Sequence, residues 1–109
     1  MDGIELDIFK LIASSGDSRG AAFEALRLAR KQQFSAAKEK LTEAKEKGNA
    51  AHEIQTKLIT AETQGEKNEV SLLMVHAQDH LMTTLLARDL IEEMIGMLEE
   101  LRTKGDDEK

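Results

Sequence analysis

The chain has 109 residues, enough for one domain, and contains no Pro, Cys, Trp or Tyr and only three Phe. These absences exclude a large aromatic core, disulfides and any Cys-ligated zinc or iron–sulfur site. The net charge of −6, with so few aromatics to stack on bases, argues against nucleic-acid binding.

Apolar residues make up 40% of the chain and charged residues 33%. Together with the lack of Pro and the abundance of Ala, Leu, Glu and Lys, this composition predicts helix throughout. No apolar run approaches the ~18–20 residues of a membrane span. Met1 to Lys10 carries Asp2, Glu5 and Asp7 in place of the basic start and apolar stretch of a signal peptide. The expectation is a cytoplasmic, all-helical domain with no membrane insertion. A compact monomer of this length has a radius of gyration of about 13 Å; long helices with few bulky side chains predict a thinner, longer shape.

Periodicity predicts three helices. The first spans about Ile4 to Gln32, with Ile8, Leu11, Ala22, Ala25 and Ala29 at helical spacing and an interruption at Ser14-Ser15-Gly16. Gly16 there permits a kink or the close approach of a neighbour. The second starts at Ser35, a good N-cap, and runs to about Thr60. Its polar middle, Lys45 to Asn49 with Gly48, reads as solvated or locally weak. Glu62 to Glu66 reads as a loop. The third opens near Asn68 and runs to about Arg102, so that roughly 35 residues span about 52 Å. The domain is therefore placed at residues 1–102, and residues 103–109, with Asp106, Asp107 and Glu108, read as a flexible acidic tail.

The third helix carries the chemistry. Asp79 shares a face with Leu72, Val75, Met82 and Leu86. An ionised carboxylate in an apolar stripe requires a partner. It is paired with Lys or Arg from another helix, or lies at the edge of the stripe, or is a ligand for a hard cation or a register-setting group in a helical interface. His76, Asp79, His80 and Thr83 form one polar patch at i, i+3, i+4 and i+7. His76 is either a partly buried structural histidine or a nucleophile at the rim of an apolar depression. His76 and His80 have the spacing of a two-His zinc pair, but Ala77 stands where a zinc protease has its Glu base, and the only other histidine is His52. Gln78 lies about 160° around the helix from His76, so the two can serve one site only if Gln78 comes from a second copy of the chain. His52 reads as a helix-packing residue, Met74, Met82, Met94 and Met97 as core filler, and the pairs Glu92-Glu93 and Glu99-Glu100 as a solvated face.

The segment Val75-His76-Ala77-Gln78-Asp79-His80-Leu81-Met82 resembles the phosphorylation-site signature of the lactose/cellobiose-class IIA proteins of the bacterial phosphoenolpyruvate-dependent sugar phosphotransferase system. Ser15-Gly16-Asp17-Ser18-Arg19, Ala51-His52, Gln55-Thr56, Leu58-Ile59 and Gly65-Glu66 extend the resemblance over almost the whole chain. It implies an antiparallel three-helix bundle that assembles as a homotrimer. It implies that His76 accepts a phosphoryl group from HPr and passes it to a cysteine of the cognate IIB, feeding the membrane IIC only indirectly. Asp79 matches a carboxylate that meets its symmetry mates around a divalent cation, Mg²⁺ by its oxygen chemistry, on the trimer axis. His80, and Gln78 from the neighbouring subunit, match residues lining the phosphorylation site. The implied sugar leans towards cellobiose or chitobiose over lactose. Two other readings compete: a purely structural helical oligomer, and a histidine-phosphotransfer domain of two-component signalling. The latter class has a basic residue and Gly soon after its histidine, whereas Ala77-Gln78-Asp79-His80 follows His76.

Overall fold

Three long helices make up the described residues, 3–65 and 70–107, of a computed structural model: α1 (Gly3–Arg30), α2 (Phe34–Thr63) and α3 (Leu72–Asp107). The turn between α1 and α2 is three residues long, which forces an antiparallel pair. Lys57 pairs with Asp7 at one end of that pair, and Ser18 bonds Ala44 near its middle. The α2–α3 pair is antiparallel as well. Gln55 meets Gln78, Lys45 meets Glu92 and Lys38 meets Glu99, so one set of numbers rises as the other falls. Among the described residues, no helix is long and apolar enough to cross a membrane.

The inward residues follow strict alternating steps of three and four. On α1 they are Ile8, Leu11, Ser15, Ser18, Ala22, Ala25 and Ala29, with Ala21 buried beside that line. On α2 they are Phe34, Ala37, Leu41, Ala44, Gly48, Ala51, Gln55 and Leu58. On α3 the fully covered positions are Ala77, Leu81, Thr84, Ile91 and Ile95. Such spacing gives knobs-into-holes packing at small crossing angles. Because the α1–α2 seam is mostly Ala, Ser and Gly, those two axes approach closely and the bundle is slender. It measures 63 × 23 × 19 Å, with a radius of gyration of 17.5 Å.

The apolar core falls into two clusters. One joins Ala22, Ala25, Phe34, Leu41, Ile91 and Ile95; the other joins Ile8, Leu11, Ala51, Leu58, Ala77 and Leu81. Between them lies a seam of small and polar groups. Ser15, Ser18 and Thr84 are completely buried there, and a Cβ added to Gly48 would lie 3.1 Å from Ser18 Oγ and 3.5 Å from Leu85.

Several boundaries differ from the sequence reading. α1 passes through Ser14-Ser15-Gly16 without a break, because Ser15 and Ser18 face inward on the packing seam. The middle of α2 is neither weak nor wholly solvated: Gly48 is buried where α2 crosses both neighbours. α2 begins at Phe34 and ends at Thr63, and Gln33, not Ser35, holds the cap position. Glu62 and Thr63 are thus helical, the turn is at Gln64 and Gly65, and Glu66 and Asn68 lie outside the described residues. α3 starts at Leu72, its first turn capped by Ser71, whose Oγ accepts from the Met74 N–H at 3.1 Å. It continues beyond Arg102 to Asp107.

Candidate phosphoryl-transfer site

Ser71 ends the connection from α2 and starts α3, so His76 lies just over one turn into that helix. Its imidazole is exposed and stacks on that of His80, with ring centres 6.0 Å apart and planes within 4° of parallel. A Cβ built on Gly16 of α1 would lie 3.7 Å from His80 Nε2, an ordinary contact. α1 thus backs His80, and His80 in turn backs the free ring of His76. The Thr83 hydroxyl belongs to the helix, donating to the carbonyls of Asp79 (2.9 Å) and His80 (3.2 Å). This removes Thr83 from the polar patch read in the sequence.

Asp79 is exposed. It lies in an apolar stripe formed by Leu72, Val75, Met82, Leu86, Leu90, Met94, Met97 and Leu101, each 44–86% exposed. The steps along this stripe average about 3.6 residues per turn, so it runs straight along the helix without winding around it. α3 therefore has two apolar faces, one on the seam with α1 and α2 and one uncovered. Met82, Met94 and Met97 belong to the uncovered face and are not core filler; Met74 alone of the four packs against the core. Among the described residues, no three His, Asp or Glu side chains converge as a metal site, so Asp79 stands as a single carboxylate in each chain.

Gln78 flanks the stripe on the side away from His76. It accepts a hydrogen bond from Gln55 Nε2 of α2, and with Val75, Asp79, Met82, Leu58 and Ile59 it lines an open hollow of about 430 Å³. Within one chain, then, His76 and His80 come together while Gln78 faces α2, as the helical geometry required. Gln55 had no role in the sequence reading beyond its place in a motif. His52 is exposed on α2, with only its carbonyl engaged, by Thr56, so it is not a packing residue. Glu92 and Glu99 lie on a solvated face but pair with Lys45 and Lys38 of α2.

The family model of the lactose/cellobiose-specific IIA subunit of the phosphotransferase system matches residues 7–99. The chain belongs to this family. It is a phosphotransferase component of the kind that relays phosphoryl groups, and this sets aside the two-component and purely structural readings. This IIA chain is 44% identical over 99 residues to the N,N'-diacetylchitobiose-specific IIA component of Escherichia coli, covering 91% of this chain and 85% of that one. Its fold superposes on the crystal structure of the cellobiose-specific enzyme IIA of Bacillus anthracis with a TM-score of 0.91, at 42% identity and 95% coverage of both chains. It also matches the solution structure of the chitobiose IIA–HPr complex of Escherichia coli, with a TM-score of 0.81, 42% identity and coverage of 94% of this chain and 99% of that one.

Proposed function

We propose that His76 accepts a phosphoryl group from phospho-HPr and passes it to a cysteine of a cognate IIB. The bond from phosphorus to the donor breaks as a bond to an imidazole nitrogen of His76 forms, and the second transfer reverses this with the thiolate as acceptor. Such transfer depends on positioning and electrostatics and asks for little other covalent chemistry. The observation that carries the reading is the free, exposed imidazole of His76, backed by the parallel ring of His80 at the border of an uncovered apolar face. Similarity to a IIA that forms a complex with HPr supports the choice of donor. Relatives named for chitobiose and cellobiose support a disaccharide of that kind as the sugar, ahead of lactose.

The site is completed in a homotrimer. If three copies pack parallel with the uncovered α3 faces inward, Asp79 points at the axis. His76 lies about 60° to one side of that direction, Gln78 about 100° to the other, and the two differ by about 3 Å along the helix. In a threefold arrangement one flank of each α3 meets the opposite flank of the next, so Gln78 of one subunit approaches His76 of its neighbour. The straight stripe allows this contact from Leu72 to Leu101. Three Asp79 carboxylates would then repel one another unless neutralised. Their oxygens suit a hard divalent cation such as Mg²⁺, which would supply that neutralisation and no step of the transfer.

The test is transfer of label from phosphoenolpyruvate through enzyme I and HPr. Acid-labile label on the wild type, absent from His76→Ala, is expected; label that persists in the variant removes the assignment.

A further inference from the structure

We infer that Gln55 of α2 is a positioning residue that turns the amide of Gln78 so that its NH₂ faces the neighbouring subunit's phosphoryl group. The inference rests on the reading just given, in which Gln78 lines a neighbour's His76. Gln55 is buried, 8% exposed, and its side-chain nitrogen contacts two groups: Gln78 Oε1, and Met82 Sδ at 3.7 Å. A thioether sulfur accepts hydrogen bonds and never donates. The Gln55 atom directed at Met82 is therefore the nitrogen and not the oxygen. The same nitrogen lies against Gln78, so the Gln78 atom it meets must be the carbonyl oxygen. The Gln78 NH₂ is thereby left on the far side of its amide, away from Gln55.

Gln78 lines the hollow with Val75, Asp79 and Met82, beside the uncovered face of α3, so an amide whose oxygen is held by Gln55 has its NH₂ as the group left for that face. A phosphoryl group carries only acceptor oxygens, so an amide held this way round donates to it, whereas the reversed amide would present a lone pair to a negative charge. The orientation is set from within the subunit, one helix away from the chemistry, before any partner arrives. Preorganised donors of this kind act without reorganising during the transfer. Gln55 touches neither His76 nor the transferred group, and its effect passes through Gln78.

The experiment compares the full-length wild type with Gln55→Glu, Gln78→Leu and the double variant. It measures the rate of transfer from phospho-HPr at saturating donor, the KM for phospho-HPr, and the melting temperature. Glu keeps the size of Gln55 but offers only acceptors, so Gln78 must turn its NH₂ inward. Gln55→Glu and Gln78→Leu should each lower the maximal rate about tenfold, the loss of one charge-assisted hydrogen bond, with KM unchanged. The double variant should be no slower than Gln78→Leu alone. Should Gln55→Glu fail to fold, Gln55→Met keeps the volume, releases the amide and should slow transfer two- to threefold on the scale of a neutral hydrogen bond. A wild-type rate in Gln78→Leu overturns the reading of the site itself. A slow Gln78→Leu beside wild-type rates in the Gln55 variants overturns the positioning role alone. So does further slowing when Gln55→Glu is added to Gln78→Leu, which would trace its effect to charge or fold.

Discussion

The Ser18 hydroxyl of α1 donates to the Ala44 carbonyl of α2 at 2.6 Å, between two residues with no solvent exposure. Gly48 lies one turn along α2 from that carbonyl. A Cβ there would be 3.1 Å from Ser18 Oγ and 3.0 Å from Arg88 Nη1. The Arg88 head can swing aside, but Ser18 can move only by giving up its bond. Gly→Ala in an open helix gains about 1 kcal/mol. Here Gly48→Ala is expected to lose about 1 kcal/mol net, because overpacking a tight seam outweighs the propensity gain. Urea unfolding should give a lower midpoint at an unchanged slope.

Gln32 is the one non-glycine residue with positive φ, at 62°, among the described residues. Gln33 N–H bonds the Leu28 carbonyl at 3.0 Å and Gln32 N–H the Ala29 carbonyl at 2.9 Å. This is the paired closure of a Schellman motif, in which the left-handed position is normally Gly. Gln32→Gly should therefore stabilise the fold by about 1 kcal/mol, the strain relieved less the added freedom of the unfolded chain. A melting temperature that stays put or falls would contradict this account of the turn.

Asp79→Leu is expected to leave labelling of His76 intact while changing how the assembly responds to chelator. In the proposed trimer the wild type loses melting temperature when divalent cations are removed, since three carboxylates are left facing one another. The Leu variant should be indifferent to chelator and melt above the chelated wild type. Sedimentation velocity and thermal melting, each with and without chelator, read both effects. A wild type unmoved by chelator removes the cation from the picture.

The sequence made the three helices legible because no Pro interrupts them, and it singles out His76, Asp79 and His80 because polar groups stand out on an apolar helix, whereas Gln78 comes only with the family resemblance. It misread the inner seams. Ser15 and Gly48 are poor helix formers and suggest a break and a weak stretch, yet both sit on the heptad line where close helix contact needs a small side chain. Met74, Met82, Met94 and Met97 all read as core, and only Met74 is, because apolarity around most of a helix does not reveal which face the subunit itself covers. Gln55 escaped notice because its importance lies in the chain Met82–Gln55–Gln78, a relation across two helices that no spacing along the sequence encodes.

The division of the core by the Ser15, Ser18, Gly48 and Thr84 seam bears on how the subunit opens. Cooperative opening follows contiguous apolar packing, and here that packing is broken partway along a 63 Å rod. Amide hydrogen exchange should resolve two units. Amides around Leu41 and Ile91 should open with one free energy, and those around Leu11 and Leu81 with another. On that division the end that carries His76 and the end packed around Phe34 and Ile95 are separate units of stability.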